Sequence, residues 1–83
     1  MRKTPVTYGQ LDSVLQSLGF RVRVDKGQRR LYNHEATGAI MSLPDRKRSE
    51  AAHATYVAAV RKVLADYDIA DEVEFASQLQ EAS

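Results

Sequence analysis

Cysteine is absent from this 83-residue chain, which removes a disulfide framework, a thiolate zinc site and a nucleophilic thiol together. The core must therefore hold by packing alone. No apolar run approaches the roughly 20 residues that span a bilayer, and Met1-Arg2-Lys3-Thr4-Pro5 leads into no hydrophobic stretch of a secretory signal, so a cytoplasmic chain without membrane contact is expected. Internal repeats and low-complexity tracts are also missing. The four glycines form no phosphate loop, and no Ser-His-Asp signature occurs.

What is there suits one small folded domain. Hydrophobic residues make up 43% and charged residues 28%, too apolar for wholesale disorder. The net charge of +1 hides a division along the chain. Residues 1–48 carry ten Lys or Arg against four acids, a net +6. Residues 49–83 carry two against seven, a net −5. Such asymmetry fits a basic surface for polyanions beside an acidic end, although two solvated faces would leave the same pattern.

Thr7-Tyr8-Gly9-Gln10 forms a capping box, and Leu11, Val14, Leu15 and Leu18 follow at helical spacing, which predicts a helix from Tyr8 to Ser17 closed by Gly19. Phe20 to Asp25 alternates with period two, placing Phe20, Val22 and Val24 on one face and Arg21 and Arg23 on the other. A glycine turn at Lys26-Gly27-Gln28 leads into a strand from Arg29 to His34, with Tyr32 expected to face the core. Ala39 to Leu43, closed by Pro44, reads as a third strand, and the short loops require an antiparallel meander. After a polar connector at residues 45–50, a helix is expected from Ala51 to Tyr67 with Val57, Val60, Leu64 and Tyr67 on its apolar stripe. Asp71 caps a last helix whose apolar side is Val73, Phe75, Ala76 and Leu79.

Two residues titrate near neutral pH in their ordinary state, His34 and His53, and they lie in different elements, so their spacing implies no metal pair. The acids at Asp66, Asp68, Asp71, Glu72 and Glu74 read as caps and solvated charge rather than a paired-carboxylate centre. The basic residues are more informative. Arg21, Arg23, Lys26, Arg29, Arg30, Arg46, Lys47 and Arg48 are brought into one locality by a three-stranded meander, and guanidinium groups suit phosphate. These eight are the candidate RNA-binding set.

The order of a helix, Leu18-Gly19-Phe20, a strand, Lys26-Gly27-Gln28-Arg29-Arg30-Leu31-Tyr32-Asn33-His34, Ile40-Met41-Ser42-Leu43-Pro44 and a closing helix with Val60 and Leu64 resembles the HicA toxins of bacterial type II toxin-antitoxin systems. The resemblance covers Thr7 to Ile69. It implies an α+β fold like that of double-stranded-RNA-binding domains, helix, three-stranded antiparallel sheet, helix, here with an extra C-terminal helix. It divides the chain into an N-terminal tail at 1–6, a HicA-like domain at 7–69 and a helical extension at 70–83. It also implies mRNA cleavage without metal or other cofactor, and silencing by a HicB-type antitoxin. Gly27 matches the signature glycine, while Gln28 stands at the hydroxyl position and Arg29 at the position of the catalytic histidine. Asp45 replaces a further family histidine, and His34 matches near the end of the second strand. Two readings follow from these departures. In one, His34 is the acid-base group and Arg29, with Arg30, supports the charge of the transition state. In the other, the chain is a degenerate member that binds RNA or a partner protein without cutting. The sequence names neither the RNA nor the oligomeric state.

Overall fold

The computed structural model describes residues 5–82, so Met1 to Thr4 of the expected tail and Ser83 lie outside the described residues. The elements follow in the order α1 (Tyr8–Ser17), β1 (Arg21–Val24), β2 (Arg29–His34), β3 (Ala39–Pro44), α2 (Ala54–Asp66) and α3 (Glu72–Glu81). The three strands form one antiparallel sheet in the order β1-β2-β3. It is a small α+β fold with an open sheet.

The capping box is complete. The Thr7 hydroxyl accepts the Gln10 amide at 3.2 Å, and the Gln10 side chain accepts the Thr7 amide at 2.9 Å. The other unpaired donors of this helix end go to the connector: the Tyr8 amide donates to Glu50 and the Gly9 amide to Arg48, both at 3.0 Å. An α-helix leaves its first amides without internal partners, so this docking satisfies what the helix itself cannot. Gly9 also marks a close approach, since a Cβ there would lie 2.9 Å from both the Cβ and the carbonyl oxygen of Arg48. At the other end, Gly19 takes φ +99°.

The core lies between the inner face of the sheet and the helices. Tyr32, Met41 and Leu43 face Leu11, Val14 and Leu15 of α1, Val60 and Leu64 of α2, and Phe75 of α3. The third helix is thus built into the same core, and it is further tied by Gln10 donating to the Leu79 carbonyl at 3.2 Å.

Several expectations need correction. The second long helix starts at Ala54 rather than Ala51, because Ala51 pairs with Thr7, Ala52 donates to Val6, and His53 caps the helix. Tyr67 follows its end and is 45% exposed, and Val73 is 79% exposed, so neither joins the core. Val24 shares the inner parity with Val22 but sits 54% exposed, at an edge the helices do not cover. In the β1–β2 turn the left-handed residue is Gln28, φ 63°, rather than its glycine neighbour.

Candidate nucleic-acid interface

Strand parity divides the basic set. Consecutive strand residues point to opposite faces, so Arg29 and Arg30 cannot share one. Arg30 pairs with Leu43 and lies on the inner side with Tyr32, whereas Arg21, Arg23, Leu31 and Asn33 lie on the open side. There they frame a groove of about 540 Å³ with the exposed Ile40. Arg21 is also paired with Glu35 at 2.9 Å.

Two of the eight basic residues are committed to holding the fold. Asp12, on α1, is buried. One of its carboxylate oxygens accepts from Arg30 and from the Tyr32 hydroxyl, each at 2.8 Å, and the other accepts from Arg48 and from Gln16, each at 2.9 Å. The Arg30 Nε donates to the Tyr32 oxygen at 3.1 Å. Arg48 reaches further, to the Gly9 carbonyl at 3.2 Å and the Ser13 hydroxyl at 3.0 Å. Burial pushes the Asp12 carboxyl upward, but the hydrogen bonds from Tyr32, Arg30 and Arg48 outweigh it and hold the group below the usual carboxylate range. The hydrogen bond to Tyr32 and the pairing with Asp12 prevail over burial in Arg30 and raise its guanidinium. Burial, helped by the Asp12 charge, pushes the Tyr32 phenol up to about 12.

The remaining cations gather at one end of the sheet. A cleft of about 380 Å³ is lined by Gly27, Gln28, Arg29, Pro44, Asp45, Arg46 and Tyr56. Its walls are tied together by the backbone. The Gln28 amide donates to the Asp25 carbonyl at 3.1 Å, and the Asp45 amide donates to the Gln28 carbonyl at 2.9 Å. The Asp45 carboxylate lies 3.5 Å from Arg30, which offsets its charge. Among the described residues, the side chains of Lys26, Arg29, Arg46 and Lys47 make no ion pair or hydrogen bond, and neither does that of Arg23 on the open face. Four uncompensated cations therefore surround or adjoin the cleft.

His34 stands at the opposite end of β2. Its Nε2 lies 3.0 Å from the Leu18 carbonyl, which can only accept, so this nitrogen carries the proton. Nδ1 lies 2.9 Å from the Thr37 hydroxyl, and the ring packs on Phe20 with centroids 4.9 Å apart. Five residues separate Arg29 from His34, about 16 Å along a strand, and their side chains take opposite faces. The structure does not bring together the two residues expected to act on one phosphate. Nor does any group of three His, Asp or Glu side chains converge on a metal position among the described residues.

Sequence reasoning passed over two residues. Asp12 sits beside an apolar helix face, three positions before Leu15, and its arginine partners lie 18 and 36 residues away, too far for local spacing to reveal. Tyr56 falls four residues before Val60 on α2 and carries the helical signal of a core position, but it is only half-buried and lines the cleft. No family model, curated protein or solved structure matches the chain.

Proposed function

We propose that this chain is a HicA-like RNA-binding module, with the architecture of a double-stranded-RNA-binding-like domain, that holds RNA without cutting it. The observation that carries the reading is the cleft at the end of the sheet. Arg29 and Arg46 line it with no internal partner, and Lys26 and Lys47 flank it. Free guanidinium groups around a concavity are suited to phosphodiester oxygens. Charge elsewhere supports the same orientation. The acids from Asp66 to Glu74 run from the last residue of α2 into the first turn of α3, whereas Tyr56 of the cleft lies in the first turn of α2. That helix of 13 residues puts about 20 Å between the two ends. A polyanion is drawn to one end and repelled from the other.

The residues at the signature positions support binding over cleavage. A guanidinium at the position of Arg29 suits phosphate charge and is a poor base for a ribose hydroxyl. The nitrogens of His34 are engaged by Leu18 and Thr37. The HicA resemblance makes a HicB-type antitoxin the expected protein partner.

Titrating the purified chain with labelled RNA at several salt concentrations tests the proposal. Each neutralised phosphate of a single strand adds about −0.7 to the log-log salt slope. Arg29→Glu with Arg46→Glu should reduce the slope and remove most of the affinity, while Arg21→Glu should change both little. Undiminished RNA affinity in the double variant would overturn the proposed surface. RNA cleavage by the wild-type chain that disappears in His34→Ala would restore the toxin reading.

A further inference from the structure

We propose that Tyr56 is a stacking platform for an unpaired base, so that the cleft takes single-stranded RNA in preference to duplex. The inference rests on the RNA-binding reading and names the form of RNA that the same site selects. Tyr56 is half-buried in the first turn of α2. Its ring packs against the core and contacts Tyr8, with centroids 6.2 Å apart and planes tilted 55°, and His53, at 6.4 Å in an edge arrangement. A ring packed in this way loses little freedom when a ligand covers its remaining surface. Its hydroxyl makes no hydrogen bond among the described residues, so this cleft-lining residue also carries an unused polar donor-acceptor group.

The surroundings fit one nucleotide unit. About 380 Å³ is near the lower end of the roughly 300–1,000 Å³ typical of small-ligand sites. The wall carries apolar Pro44 and the aromatic ring, with Arg29 and Arg46 as free cations. Single strands are bound by this pairing of an aromatic face with cations that track the backbone, and stacking tolerates any base because every base has a π-face. In a duplex the bases are already stacked on one another, and an A-form helix presents mainly phosphates and 2′-hydroxyls to a protein. A ring recessed in a cleft therefore reaches an unpaired base and not a paired one. Tyr32 borders the basic groove on the open sheet face, but its hydroxyl is turned to Asp12 and its side chain is buried, so its ring is not offered to a base there.

Fluorescence anisotropy on the full chain, with a 12-nucleotide single-stranded RNA and the matching duplex, tests the inference. The wild-type chain should prefer the single strand. Tyr56→Leu should weaken that binding roughly ten- to a hundred-fold with the salt slope unchanged, and Tyr56→Phe should keep it. Since the chain contains no tryptophan, tyrosine emission can be read directly. Single-stranded RNA should quench it in the wild-type chain and duplex should not. Four tyrosines emit, so the quenching by single-stranded RNA is assigned to Tyr56 by its loss in the folded, RNA-binding Tyr56→Phe variant; quenching that persists unchanged in that variant overturns the stacking role even if Tyr56→Leu fails to fold. Equal affinity for both RNAs, or a folded Tyr56→Leu that binds as tightly as wild type, overturns the stacking role while charge-swapped Arg29 and Arg46 still lose affinity. Absence of RNA binding at low salt overturns both this inference and the reading beneath it.

Discussion

Arg48 reaches across 36 positions of sequence to place a guanidinium nitrogen 2.9 Å from the Asp12 carboxylate. The contact fixes the connector that carries Arg46 and Lys47 onto the first helix. Because Asp12 also receives Arg30 and Tyr32, one buried carboxylate joins α1, β2 and the connector.

Asp12 makes folding stability sensitive to acid. Its carboxyl titrates below its ordinary value in the folded chain, so the stabilisation is complete above the unfolded value of about 4 and is lost as pH falls through the lower folded value. Denaturant midpoints between pH 7 and pH 2 should fall on the acid side. Asp12→Ala should cost about 3 kcal/mol at pH 7 and flatten that acid limb.

Tyr32 produces the opposite limb. Its phenol is raised to about 12 in the folded chain, so its contribution is complete below the unfolded value of about 10 and is lost between about pH 10 and about pH 12. Tyr32→Phe should remove this alkaline loss and cost about 1–2 kcal/mol at neutral pH, through the hydrogen bonds lost by Asp12 and Arg30. A pH series of thermal melts on both proteins measures it.

His34 binds the end of β2 to the turn after α1. His34→Ala should reduce stability by about 1–2 kcal/mol, because the Leu18 carbonyl loses its donor and Phe20 loses a packed ring. RNA affinity should stay within two-fold or so of wild type, since the cleft lies about 16 Å away along the strand. Urea unfolding and RNA titration of the same preparation separate the two effects.

Gln28 occupies a left-handed conformation, φ 63°, where a side chain is sterically opposed and glycine is not. Gln28→Gly should raise stability by about 0.5–1 kcal/mol, the relief of strain exceeding the entropy gained by the unfolded chain. An unchanged or lowered urea midpoint would show that the Gln28 side chain supports the turn.

The elements were legible where the signal is local. Thr7 and Gln10 lie three residues apart and complete each other's hydrogen bonds, so the start of α1 could be read from four letters. Tyr32 was correctly assigned to the core. The start of α2 was misread because alanines favour helix wherever they stand, while the pairing of Ala51 and Ala52 with Thr7 and Val6 comes from more than forty residues upstream. The cleft was half legible: its arginines were evident from charge, and Tyr56 was hidden within a core-like helical period.

Interactions that act over a few residues were readable from the amino-acid order: helix caps, strand alternation, turn positions, antiparallel pairing, and a basic half followed by an acidic one. Which cations are free depends on how distant segments pack. Strand parity sends Arg29 and Arg30 to opposite faces, and the buried carboxylate of Asp12 then takes Arg30 and Arg48 out of the basic surface. The reason is physical. A buried charge is tolerated only when it is paired and hydrogen-bonded, and those partners arrive from distant segments whose meeting no local pattern records.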